Sequence, residues 1–191
     1  MGDLLMKEKT EEELYDKASA MIETPYYEEG VETMKSLAEG EYAPAMFQLG
    51  KMYEEGNRVE KDAPKAEEWY RKAAGQGNAD AQNRLGEMYE GREGVASEAV
   101  EWYRNAAEQG HTDAQFRLGV CYQMGYGTDT DNTKAVEWYL KAAEQGHGNA
   151  ESALAYMYKF GDGVAKDRCK AEEWEQKSRK HKPNSIYSLH W

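Results

Sequence analysis

The sequence predicts an all-α chain, a solenoid of stacked helical hairpins. Three observations carry that expectation. AVEWYRNAAEQG at 99–110 returns as AVEWYLKAAEQG at 135–146, with ten of the twelve letters identical at an offset of 36. Trp69, Trp102, Trp138 and Trp174 lie 33, 36 and 36 residues apart, while Leu49, Leu85, Leu118 and Leu154, and likewise Tyr53, Tyr89, Tyr122 and Tyr158, lie 36, 33 and 36 apart. Within each copy the apolar residues fall at helical spacing. A period of this size marks repeated supersecondary units that bury their apolar faces only by stacking on neighbours.

The chain divides into an N-terminal cap-like hairpin over 1–40, repeats over about 41–77, 78–110, 111–146 and 147–182, and a tail over 183–191. Residues 8–40 form a degenerate hairpin, with Thr33 where the later copies place tyrosine. The second repeat shows the common plan. Ala81, Leu85, Met88 and Tyr89 define a first helix, A, and Ala99, Trp102, Tyr103, Ala106 and Ala107 a second, B. Gly91 and Gly94 separate them, Ser97 is the expected N-cap of helix B, and Gly110 ends it as a C′ glycine. The one short interval falls at GREGVASEAV, so the deletion lies in a loop.

Gly50, Gly86 and Gly119 recur inside helix A, where each costs about 1 kcal/mol relative to alanine. Their recurrence predicts that helix B crosses closely there, with Ala66, Ala99, Ala135 and Ala171 facing the crossing. Tyr70, Tyr103 and Tyr139 are expected to fill the space between repeats. The last copy departs from this pattern: Ala155 replaces the glycine, and Glu175 and Ser178 replace the tyrosine and an alanine. A polar outer face is what a terminal repeat requires. Beyond Lys182 the tail PNSIYSLHW carries Ile186, Tyr187, Leu189 and Trp191 and cannot continue a helix past Pro183. A tail this apolar is expected to dock, over the last helix or in a neighbouring molecule, which offers a route to weak self-association.

The segments A-Q-x-x-L-G-x-M-Y (81–89), G-V (94–95) and A-V-E-W-Y-x-x-A-A-E-Q-G (99–110) resemble the Sel-1-like repeat family, kin of the tetratricopeptide repeat, and the likeness extends over residues 42–178. The resemblance implies a right-handed α/α solenoid of about five hairpins, a concave face lined by the A helices, and an adaptor that binds other proteins. Carrying that geometry over places Phe47 and Lys51 of the first repeat and Asn83 and Glu87 of the second on the concave face. Phe116, Val120 and Gln123 of the third, and Ser152, Tyr156 and Lys159 of the fourth, join them. These positions vary between copies while the packing positions do not. An aromatic at Phe47 or Phe116 also fits simple packing. The expected ligand is a peptide or partner helix laid against an aromatic stripe.

The formal net charge of −12 and a pI of about 4.9 argue against nucleic acid or an anionic membrane as the main partner, since both demand a basic face. They permit a basic protein partner. No run of 18 apolar residues exists, and MGDLLMKEKTEEELYDK has no apolar signal core, so a cytoplasmic protein is expected. Cys121 occupies a slot held by Met52, Met88 and Met157 elsewhere, which makes it a core thiol, reduced in that compartment.

No catalytic, cofactor or metal residue is expected. The sequence contains no G-x-S-x-G, H-E-x-x-H, C-x-x-C or phosphate-binding glycine loop. His111 and His147 each come directly after the glycine that ends a helix B and read as scaffold. TDTDN at 128–132 has the opening letters of a calcium loop. However, the twelfth position from Asp129 is Leu140 and the sixth is no glycine, so it reads as a turn with Asp131 or Asn132 capping helix B. The leading expectation is therefore a non-enzymatic interaction scaffold. The alternative is an acidic immunity or inhibitor protein that covers a basic toxin or enzyme after fast, charge-steered association. A remote third is a β-lactam-binding hydrolase, known among cysteine-rich relatives that carry a disulfide in each hairpin, which this chain lacks.

Overall fold

The computed structural model describes the backbone of residues 2–181 and the side chains of residues 10–181. The tail over 183–191, and with it the expectation that it docks, lies outside the described residues. Among the described residues the elements are ten helices and no strand: α1 (Gly2–Ile22), α2 (Tyr27–Glu39), α3 (Ala43–Glu55), α4 (Ala63–Gly75), α5 (Ala79–Glu90), α6 (Ala96–Glu108), α7 (Thr112–Met124), α8 (Asn132–Glu144), α9 (Gly148–Phe160) and α10 (Arg168–Lys180). The chain is an all-α helical-repeat protein. No described helix is long and apolar enough to cross a membrane.

Two compact units divide inside α5, between Leu85 and Gly86. In the first, α1 packs on α2, α2 on α3 and α3 on α4. Its core holds Ala18, Met34, Ala45, Leu49, Met52, Ala66 and Tyr70, all within 1% of complete burial. In the second, α6 packs on α7, α7 on α8, α8 on α9 and α9 on α10, around Tyr103, Leu118, Tyr139, Leu154 and Met157. Each large apolar side chain removed from water contributes about 1.5–3 kcal/mol.

The helix starts obey local chemistry. Asp62, Asp131 and Asp167 each accept a hydrogen bond at 3.0 Å from the backbone N–H three residues on, which caps α4, α8 and α10. Helix α6 differs. Its N-cap is Val95, with no side-chain hydrogen bond, and Ser97 lies inside the helix. The slot that Asp62, Asp131 and Asp167 hold four residues before Ala66, Ala135 and Ala171 is Val95 before Ala99. His111 and His147 cap α7 and α9: Nδ1 of each accepts from the N–H of Ala114 and Ala150, at 3.2 and 3.1 Å. Gly110 lies past the end of α6 at φ +91°.

The rings of the recurrent tyrosines lie on the glycines of their own hairpin. A methyl group on Gly50 would stand 2.7 Å from the Tyr70 ring, on Gly86 2.5 Å from Tyr103, and on Gly119 2.6 Å from Tyr139. Stacking of one repeat on another uses a different glycine. Gly127 and Gly163, at φ +63° and +66°, sit directly on the backbone carbonyls of Ala96 and Asn132, at the starts of the preceding B helices. A side chain at either position would meet that backbone.

Candidate functional site

Each ring on its glycine ends in a hydroxyl that has to find a partner. Tyr70 donates to Glu54 Oε2 at 2.7 Å, and Arg84 of the next A helix holds the same carboxylate through Nε, at 3.0 Å, and Nη2. Tyr103 donates to Glu90 at 2.9 Å, and Arg117 reaches that carboxylate at 3.3 Å. In the third repeat Tyr139 donates to Gln123 Oε1 at 2.7 Å. Ala153 stands there at the arginine position of the next helix, so the carboxylate and its cation are replaced together. Burial opposes ionisation of Glu54, but the hydrogen bonds from Arg84 and Tyr70 outweigh it and leave its pKa below the usual carboxylate value. Burial pushes the pKa of all three phenols up.

This network decides what several sequence-selected positions do. Gln123 is tied to Tyr139. Phe116 is buried at 5% exposure, tilted against Tyr139 at 5.7 Å and stacked on His147 at 4.5 Å. It belongs to the packing and presents no free ring, because the tyrosine and the capping histidine enclose it. Asn83 is also buried. Phe47 is half-buried, 5.7 Å from Tyr70, and Lys51, Glu87 and Val120 are half-buried.

The structure brings three of the chosen residues together. Ser152, Tyr156 and Lys159 of α9 line one wall of an open cleft of about 860 Å³, whose other wall is Ala171, Glu175 and Ser178 of α10. Phe160, which the sequence pattern did not single out, lies 4.6 Å from the Tyr156 ring and is 54% exposed. Its signal was readable: Glu55, Gly91 and Met124 hold the same slot, so no other repeat has a ring there. Lys159, Lys166, Arg168 and Arg179 line the cleft against Glu172 and Glu175. The last repeat has Glu175 where the others have a tyrosine over helix A, so among the described residues no ring packs beside Ala155.

Among the described residues no group of three His, Cys, Asp or Glu side chains stands in a metal-ligating arrangement. Cys121 is buried, with its thiol pKa pushed up to about 12 by that burial, and Cys169 is exposed.

A helical-repeat protein with an open terminal cleft is the class that this fold and site define. The Sel1 repeat model matches residues 43–78, 79–111, 112–147 and 148–180, and the chain belongs to that family. A protective antigen of uropathogenic Escherichia coli with the same repeat fold is similar at 39% identity and a TM-score of 0.76, over 80% of this chain and 33% of that one. A Sel1 repeat protein from Oxalobacter formigenes is similar at 35% identity and a TM-score of 0.73, over 80% of this chain and 62% of that one. An immunity protein from Pseudomonas aeruginosa resembles the chain only at 21% identity and a TM-score of 0.49, over 90% and 81%, too remote to bear on function. The chain thus spans about a third and about three-fifths of the length of the first two. No curated protein matches it.

Proposed function

We propose that this chain is a protein-interaction module with no chemistry of its own, and that it holds a peptide or partner segment against its A helices with the α9–α10 cleft as anchor. A Sel1 repeat fold is typical of interaction scaffolds. The observation that carries the reading is the Tyr156–Phe160 ring pair, half-buried at Tyr156 and exposed at Phe160, in a cleft rimmed by cations. Rigid aromatic anchors beside charged rims are where binding energy concentrates. Four cations against two carboxylates suit a neutral or acidic segment at this cleft; a basic partner would be drawn to the acidic remainder of the chain.

Affinity capture with the wild type and with Tyr156→Ala/Phe160→Ala tests it. Phe160 is exposed and Tyr156 half-buried, so the double variant is expected to keep its melting temperature to within a few degrees and to lose the partner. A partner retained at full strength by the double variant rules the cleft out as anchor.

The net charge of −12 supports a second reading, an acidic inhibitor that covers a basic target. Its association rate would fall steeply between about 0.05 and 0.5 M salt as steering is screened. A rate independent of salt counts against it.

A further inference from the structure

The recurrent tryptophans of the B helices are each half-buried, with part of the indole at the solvent face. In three copies a lysine three residues on lies over the indole: Lys72 over Trp69 at 4.3 Å, Lys141 over Trp138 at 3.7 Å and Lys177 over Trp174 at 3.9 Å. A second lysine stands four residues before each of these tryptophans and covers a tyrosine of helix A. Lys65 lies over Tyr53, Lys134 over Tyr122 and Lys170 over Tyr158, at 5.4, 5.3 and 5.2 Å. The negative face of the ring holds the cation, most strongly on tryptophan.

The second repeat departs from this plan at both positions. Asn105 stands three residues after Trp102, and Glu98 four residues before it. Tyr89 acquires a cation by another route, from Arg92 of the loop before α6, at 5.0 Å. Trp102 does not: among the described residues no cation lies over its ring. Arg104 is the one basic residue of α6, and its Nη2 donates to the hydroxyl of Tyr122 at 3.3 Å.

The surroundings of Trp102 are acidic. Glu98, Glu101 and Glu108 are exposed and share one face of α6 with Trp102 and Asn105, at helical spacing. Among the described residues none of these three carboxylates pairs with a cation, whereas Glu68, directly before Trp69, meets Lys72 at 2.7 Å. The exchange of two lysines for an asparagine and a glutamate thus bares one indole and reverses the charge around it.

We propose that this face of α6 docks a basic segment of a partner protein, one of whose lysines or arginines lies over Trp102 as Lys72, Lys141 and Lys177 lie over the other indoles. The occupant is argued from the chain's own copies, which put a cation at this ring position three times, and from the uncompensated carboxylates beside it. The inference rests on the reading of the chain as an interaction module and gives the basic partner a docking place. That place shares no residue with the α9–α10 cleft.

The test titrates the full chain with a fluorescein-labelled hexaarginine peptide at about 0.05 M salt, where screening is weak. Asn105→Lys restores the lysine of the other copies. It is expected to weaken peptide binding about three- to tenfold, because the chain's own cation then covers the ring. Ser36→Lys, at an exposed site on α2, makes the same change in net charge and is expected to weaken binding by less than about twofold. Trp102→Leu keeps an apolar side chain against the hairpin but removes the ring, and is expected to match Asn105→Lys. Equal weakening by Asn105→Lys and Ser36→Lys overturns the proposal, since the peptide then responds to net charge alone. Full binding by Trp102→Leu, or no binding by the wild type, overturns it as well. Failure on these grounds leaves the cleft reading standing, since that is decided by capture with Tyr156→Ala/Phe160→Ala.

Discussion

The ring of Tyr103 lies so close to Gly86 that a methyl group there would stand 2.5 Å from Cε1, and the phenol is anchored at its far end by Glu90. The ring is fully buried and cannot swing aside. Glycine is required here by a neighbour, despite its cost in a helix. Gly86→Ala gains about 1 kcal/mol of helix propensity but forces an overpacked contact costing about 1–3 kcal/mol. A net loss of up to about 2 kcal/mol is expected in urea unfolding. In a Tyr103→Leu background the same substitution is expected to be neutral or stabilising. The fourth repeat has already made the paired exchange, with Ala155 and Glu175. Equal costs in both backgrounds would separate the glycine from the tyrosine.

Glu54 joins two elements, Tyr70 of its own hairpin and Arg84 of the next A helix. Glu54→Gln keeps an acceptor for the phenol but loses the charge facing Arg84, whose side chain is 40% exposed. Solvent screening holds the expected loss at pH 7 to about 1–2 kcal/mol. The carboxyl is depressed in the folded state, so its contribution is complete above its unfolded pKa and disappears as pH falls through the lower folded value. The stability difference between wild type and variant is therefore expected to shrink as pH falls from about 5 towards 3. A difference that is flat across that window would show that the pair contributes nothing through charge.

The period, the helical hairpins and the all-α class were legible because a repeat exposes its packing positions by repetition. The fold of each copy can be read from the spacing of Leu85, Tyr89, Trp102 and Tyr103 alone. What a period cannot say is against which helix a residue packs. Tyr70, Tyr103 and Tyr139 were expected between repeats; each also closes its own hairpin, because the glycine that admits the ring is in the same copy. Phe116 looked free to contact a partner only while the capping role of His147 was unknown; once that ring is fixed over α9, Phe116 is covered. Ser97 looked like a cap by residue type, but α6 starts in the register of the other B helices, which puts the cap at Val95. Phe160 went unnoticed because it ends α9 beside a glycine turn, where an apolar residue carries no periodic signal.

The two thiols are expected to react at very different rates. Cys121 is buried in the slot that methionine fills elsewhere, with its pKa pushed up to about 12, so little thiolate is present and none is accessible. Cys169 is exposed. A chromogenic disulfide reagent at pH 8 is expected to label one thiol per folded chain within minutes, and the second only on addition of denaturant. Cys169→Ser is expected to abolish the fast phase. Two fast thiols in the native protein would contradict the burial of α7.

The imidazoles of His111 and His147 accept hydrogen bonds at Nδ1 from the first turns of α7 and α9. Asn78 does the same for α5, its Oδ1 accepting from Ala81 at 2.8 Å. An asparagine is thus a natural occupant of this slot, and the histidine's role at position 111 is reproducible by an amide. His111→Asn is expected to change stability by less than about 0.5 kcal/mol, whereas His111→Ala is expected to cost about 0.5–2 kcal/mol. The gap between His111→Asn and His111→Ala is a measure of capping alone, since neither replacement keeps the ring. Equal stabilities for those two variants in thermal unfolding at pH 8 would mean that the imidazole serves α7 by packing and not by its nitrogen.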